Sequence, residues 1–143
     1  MSLEPRIKNV KGSAKFYLDA STLNAFSTAF MRSGDFSDDF PLKLEKYYGH
    51  YKKEFNGYSQ KKFAQIKKDG RGPLMETEDM DIFFCAQEYE YAQPFIDQMR
   101  LADIKITGKT AAATVISPYN WKTEFQFRKV GPRWLISAYC EYK

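Results

Sequence analysis

The sequence predicts an α+β fold in which N-terminal helices pack on a C-terminal antiparallel sheet. Three observations carry that prediction. From Asp103 to Lys143 apolar and polar positions alternate, which is the period of half-buried strands. Gly108-Lys109, Pro118-Tyr119-Asn120 and Gly131-Pro132 punctuate that stretch and divide it into a four-strand meander. Upstream, apolar residues recur at three- and four-residue steps, the mark of amphipathic helices. Helical patterns that all precede the strands imply segregated layers rather than a doubly wound sheet.

The elements follow in order. Residues 1–12 are polar and read as an extended lead-in, and 13–143 as one domain. Met1-Ser2-Leu3 reads as a scar ahead of a trimmed chain, so a removed leader is expected. Phe16, Ala20, Leu23, Phe26 and Phe30 predict a helix over Ser13–Met31, with Ser13 as N-cap and Gly34 as the stop. Phe40, Leu44, Tyr47, Tyr51 and Phe55 predict a second helix, with Pro41 in its first turn and Asn56-Gly57 at its end. Gly49 inside it weakens it by roughly 1 kcal/mol relative to alanine. Ser59 caps a third, short helix that buries Phe63 and Ile66. Asp69-Gly70-Arg71-Gly72-Pro73 breaks the chain. The apolar run Ile82–Ala86 reads equally as a buried strand or a short helix. Phe95–Ala102 is the first strand of the sheet or a connector. Phe16, Phe26, Phe125 and Phe127 are candidate core residues. Trp134 is expected to be buried as the anchor of the last strand pair.

Composition narrows the function classes. The chain has 143 residues, 43% hydrophobic, 28% charged and 17% aromatic, with a net charge of +4. That is enough for one core and argues against disorder. No apolar run approaches the roughly eighteen residues of a membrane span. The modest positive charge favours acidic partners without requiring nucleic acid. Lysines and tyrosines interleave from Lys43 to Lys68, and lysines can neutralise phosphates while tyrosines stack on bases. Yet the tyrosines fall on the helix stripe that should face the core, so nucleic-acid binding is disfavoured.

Few residues offer chemistry. The acidic group Glu76, Glu78, Asp79 and Asp81 lacks the glycine and distal glutamate of a calcium loop, and reads better as a solvated turn than as a metal site. Asp79, Asp81 and Tyr139 are nonetheless the candidate ligand-binding residues. His50 is the only histidine, which leaves no histidine metal cluster and no easy triad. Cys85 and Cys140 match no zinc or redox spacing. They are either two buried thiols or one disulfide, the latter fitting an oxidising compartment. The alternation of Trp134, Ile136, Ala138 and Cys140 puts all four on one strand face. No catalytic residue, metal or cofactor is assigned.

Three segments carry a resemblance: Asp79-Met-Asp-Ile-Phe-Phe-Cys-Ala-Gln-Glu88, Ile104-Lys-Ile-Thr-Gly-Lys-Thr-Ala-Ala-Ala-Thr-Val115 and Val130-Gly-Pro-Arg-Trp-Leu-Ile136. Together they resemble a family of uncharacterised bacterial envelope proteins of the nuclear-transport-factor-2-like, or cystatin-like cone, superfamily. Ile82 stands where that family tends to have proline, and Glu88 where it has aspartate. The resemblance runs from about Ser13 to the end. It implies a curved, cone-like sheet around a pocket and a periplasmic or envelope location, with the cytoplasm left open. The superfamily holds enzymes, binding modules and dimerisation modules, so fold does not select function. The favoured expectation is a non-enzymatic envelope domain that binds a protein partner or a small apolar or aromatic ligand; an immunity or adaptor protein is one form of it. The alternative is a small cone-fold enzyme using Asp79, Asp81 or Tyr139 for proton transfer. A homodimer is left open.

Overall fold

The computed structural model describes residues 4–9, 11–70, 72, 73, 75, 81, 83–87 and 89–143. A short hairpin opens the chain: β1 (Ile7–Asn9) pairs antiparallel with β2 (Phe16–Leu18), Ile7 opposite Leu18. The helix expected from Ser13 therefore starts later, as α1 (Ala20–Arg32). Asp19 is its N-cap, in extended backbone, and its carboxylate accepts from the Ser21 N–H at 3.0 Å. The discrepancy has a simple cause. Phe16 lies four residues before Ala20, so it extends the helical period while belonging to a strand. It is buried all the same.

The second and third helices lie where the pattern put them. In α2 (Phe40–Asn56) the proline sits in the first turn, and Phe40, Leu44, Tyr47, Tyr48, Tyr51 and Phe55 are buried. In α3 (Gln60–Asp69) the Ser59 hydroxyl accepts from the Lys62 N–H at 3.1 Å, and Gly70 closes the end at φ +72°, the left-handed conformation that glycine adopts without penalty. A single helical turn, α4 (Gln93–Asp97), precedes the sheet. The run around Phe83–Ala86 is neither strand nor helix among the described residues but a tight turn, with Cys85 at φ +53°.

The sheet is the predicted meander: β3 (Arg100–Thr107), β4 (Thr110–Ile116), β5 (Lys122–Val130) and β6 (Arg133–Tyr139), paired in that order and antiparallel throughout. Residues directly opposite one another share a face. Leu101, Val115 and Thr123 form one cross-strand row, Ile106, Ala111, Phe127 and Ile136 another, and Ala113, Phe125 and Tyr139 a third. All three rows lie on one face. The opposite face carries Lys105, Thr114, Glu124, Gln126 and Arg128.

A bulge makes that arrangement. Between Phe127↔Ile136 and Gln126↔Ala138 the register slips by one residue, so Ser137 has no partner. The slip inverts the parity of the strand end. Tyr139 joins Ile136 on the apolar face while Ala138 moves to the other, so the expectation that Ala138 and Cys140 share a face with Trp134 and Ile136 is corrected. Cys140 lies beyond the strand at φ +56°. Trp134 is also corrected. It has the expected parity but is 36% exposed, lying opposite Lys129 beside the β5–β6 turn, with the Lys129 ammonium 5.8 Å from its ring centroid. Its face is right, but that end of the sheet is not covered.

The core is aromatic. Phe26, Phe30, Phe40, Tyr47, Tyr48, Tyr51, Tyr139 and Tyr142 cluster between the helices and β6. Edge-to-face pairs are frequent, for example Phe26 with Phe30 at 4.9 Å and Tyr47 with Tyr48 at 5.0 Å. Phe16 and Phe26 are core as expected, Phe125 packs against the cluster, and Phe127 is half-buried. The free edge of β6 is closed by the loop after α1: Ser37 N–H donates to the Ile136 carbonyl and Ile136 N–H to the Asp35 carbonyl, both at 2.8 Å. The β3 edge stays open, with Leu101, Ile104 and Ile106 exposed. Asp103, at φ +53° in a register shift, interrupts it, and a bulge with a charge is a common guard against edge-to-edge pairing.

Candidate functional site

Between α1 and the apolar face of the sheet lies a cavity of about 340 Å³. Each wall follows from a local feature already described. The α1 periodicity turns Ala29, Phe30 and Ser33 toward the sheet. The meander supplies Val115, Thr123 and Phe125 from one face, and the β6 bulge adds Tyr139. The turn around residues 83–86 supplies Phe83, Phe84 and Ala86. Tyr89, Phe95, Met99, Ser117 and Trp121 complete the lining. Phe30, Ala86, Phe95 and Tyr139 are buried and form the floor, whereas Tyr89 and Trp121 are exposed and stand at the rim.

The lining is almost wholly apolar. It contains no carboxylate, lysine, arginine or histidine among the described residues. Its side-chain polar groups among the described residues are the hydroxyls of Ser33, Ser117, Thr123, Tyr89 and Tyr139 and, at the rim, the indole N–H of Trp121. Two are engaged locally: Ser33 donates to the Phe30 carbonyl at 2.8 Å, and Ser117 accepts from the Trp121 N–H at 3.1 Å. The Tyr139 ring is clamped in near-parallel stacks, 4.8 Å from Phe125 and 6.0 Å from Phe40. Burial, and next the negative charge of Asp81, push its hydroxyl pKa well above the usual phenol range. The group is therefore a neutral O–H donor.

Asp81 does not reach the lining. Its Oδ1 accepts from the N–H groups of Phe83 at 3.0 Å and Phe84 at 2.7 Å, and its other oxygen accepts from the Tyr91 hydroxyl. Its main chain closes the same turn: Cys85 N–H donates to the Asp81 carbonyl and Asp81 N–H to the Ala86 carbonyl. This carboxylate holds Phe83 and Phe84 in place. Tyr91's pKa is raised by burial and by that hydrogen bond. Asp79, with Glu76 and Glu78, lies outside the described residues. Of the three candidate ligand-binding residues, Tyr139 is in the cavity and Asp81 supports its wall from behind.

Cys85 and Cys140 form a disulfide, their Cα atoms 6.1 Å apart. It joins the Phe83–Ala86 wall to the end of β6, next to Tyr139. Of the two readings the residues allowed, the covalent one is realised.

The lysine-rich helices offer no stacking platform. Tyr47, Tyr48 and Tyr51 are core residues, and Tyr58 donates to Glu54 at 3.0 Å, with the Lys62 ammonium 4.1 Å from its ring centroid. His50 is exposed and lies 3.8 Å from the Tyr51 ring. No group of three or more histidine, cysteine or acidic side chains is placed to hold a metal among the described residues.

Several cavity residues were not foreseen. Phe84, Tyr89, Phe95 and Trp121 stand in turns or in the one-turn helix α4, where no period marks an inward side. The available signal was density: aromatic residues recur from Phe83 to Phe95 in a stretch with no regular pattern, more than a solvated loop needs. Comparison of the chain with protein-family models, with curated proteins and with solved structures finds no match.

Proposed function

We propose that this protein is a non-enzymatic binding domain of the bacterial envelope, and that its aromatic cavity takes a small apolar or aromatic ligand. One observation carries the reading: a concave site of about 340 Å³ lined by aromatic and aliphatic side chains, which is the usual make-up and scale of a small-molecule site. Helices set before an antiparallel sheet, with a cavity between them, support membership of the cone superfamily and a curved sheet. The disulfide supports an oxidising compartment such as the periplasm.

The catalytic alternative has less behind it. A general base needs a free proton-accepting group within reach of substrate; Asp81 spends its oxygens on its own turn and on Tyr91, and burial keeps the Tyr139 hydroxyl protonated. A protein partner is favoured by one observation, the exposed Leu101, Ile104 and Ile106 along β3. The cavity outweighs it, because a buried floor with an exposed rim suits a small molecule and not a flat contact.

The test is titration with the neutral fluorophore N-phenyl-1-naphthylamine. Saturable, single-site enhancement is expected, with quenching of Trp121 at the rim. Ala29→Trp, which fills the cavity from α1, should abolish it while leaving the circular dichroism spectrum unchanged. No saturable binding to folded wild-type protein overturns the reading.

A further inference from the structure

The Tyr139 hydroxyl is the one polar group on the cavity floor whose situation is unresolved within the protein. Tyr139 is 3% exposed, and its hydroxyl makes no hydrogen bond among the described residues. The other buried or half-buried tyrosines differ: Tyr47 meets Tyr51 at 3.2 Å and Tyr48 meets Tyr142 at 3.3 Å. The large majority of buried side-chain polar groups in proteins are hydrogen-bonded, because a desolvated donor without an acceptor is destabilising. The ring is held in near-parallel contact with Phe125 and Phe40, which fixes where its hydroxyl sits. Neither can the donor be lost by ionisation: burial and the nearby Asp81 charge keep it protonated. A phenylalanine would fill the same ring position without the orphan oxygen. A fixed, neutral donor on the floor of a mostly apolar cavity is the arrangement that orients a ligand.

We infer that the cavity selects a flat apolar molecule bearing one hydrogen-bond acceptor, a carbonyl or ether oxygen, which accepts from the Tyr139 hydroxyl. The same lining disfavours a cationic ligand or a multiply charged anion, since among the described residues it offers neither counter-charge nor a second fixed donor on the floor. This inference rests on the cavity being a ligand site.

The test compares two probes of one shape, 2-acetylnaphthalene and 2-isopropenylnaphthalene, which differ in a carbonyl oxygen against a methylene. Each is made to displace N-phenyl-1-naphthylamine from wild type and from Tyr139→Phe. The quantity read is the ratio of the two affinities, which cancels the different cost of taking each probe from water. In wild type this ratio should favour the ketone roughly tenfold more than in Tyr139→Phe, the ordinary worth of one hydrogen bond to a buried neutral partner. The affinity of the hydrocarbon should be unchanged or improved by the substitution. A merely structural role for Tyr139 would weaken both probes together and leave the ratio alone, and that result overturns the inference. Equal ratios in the two proteins, with the fluorophore still bound, overturn the inference while leaving the cavity reading intact. Failure of wild type to bind the fluorophore at all overturns both.

Discussion

Breaking the Cys85–Cys140 bond gives a sharp test of how the cavity wall is held. The bond spans a sequence separation of 55 residues. Cross-linking two points that far apart removes loop entropy from the unfolded chain, and the standard chain-entropy relation gives about 4 kcal/mol at room temperature for a loop of this length. In a domain of this size each kcal/mol moves the melting temperature by a few degrees, so reduction should lower it by on the order of 10 °C. Two measurements separate the causes. Urea unfolding of oxidised and reduced protein should show the denaturant dependence steepening on reduction, because the unfolded chain expands when the link is cut. The double substitution Cys85→Ala/Cys140→Ala should behave like the reduced protein, since both retain the packing and lose only the link.

The structure adds a local consequence. Between α3 and β3 the described chain has no strand pairing to the rest of the fold, and the Phe83–Ala86 turn closes on itself through Asp81. The disulfide is the covalent tie between that turn and the sheet. Reduction should therefore weaken N-phenyl-1-naphthylamine binding at temperatures where the sheet is still folded. A stability loss below about 1 kcal/mol would refute the reasoning, and so would free thiols titrating in the native, unreduced protein.

Two further outcomes follow from the helices. Gly49 lies inside α2, and a Cβ built there meets nothing within 4 Å; Gly49→Ala should raise stability by roughly 0.5–1 kcal/mol in thermal or urea unfolding, and a loss would mean that the α2 backbone is not helical there. Asp19 caps α1, and its pKa is held at about 2, first by the hydrogen bond from Lys8 and next by that from Ser21, below its ordinary 3.8. A lowered folded-state pKa stabilises above the ordinary value and loses that stabilisation as acid protonates the group. Asp19→Ala should therefore melt lower than wild type at pH 7, with the gap closing as pH falls from 3.8 through about 2; a gap that does not change with pH, followed by calorimetry, would count against the cap.

The sheet was readable because its turns are chemically explicit. Gly108, Asn120 and Gly131 all adopt positive φ, the conformations glycine and asparagine are used for, and each separates two alternating runs. The bounds of α2 were readable for the same reason, with Pro41 at one end and Gly57 at the other. What period alone could not supply is where a pattern changes meaning. Phe16 continues a helical spacing into a strand. Ser137 inserts one residue into an alternation, so that Tyr139 and not Ala138 continues the face that carries Ile136. Neither Ser137 nor its neighbours are glycine or proline, so no residue type announces the slip.

That slip is also what makes the cavity legible only in three dimensions. Were β6 regular, the face carrying Ile136 would continue through Ala138, and the floor of the site would be a methyl group. With the bulge, the same face continues through Tyr139, whose ring stacks on Phe125 and whose oxygen stays on the protein's inner side. The residues that face it come from α1 and from a turn that Asp81 fixes and that a disulfide between cysteines distant in sequence ties to the end of β6. Each of those is a local decision readable at best one at a time. Their convergence is a property of packing, because the aromatic side chains in the 83–95 segment have no period to follow and settle where the exposed half of the sheet face leaves them room. A chain that only needed to bury this face could have done so with one more helix. It uses instead a tethered aromatic loop that leaves a gap, and the gap is where the argument for binding begins.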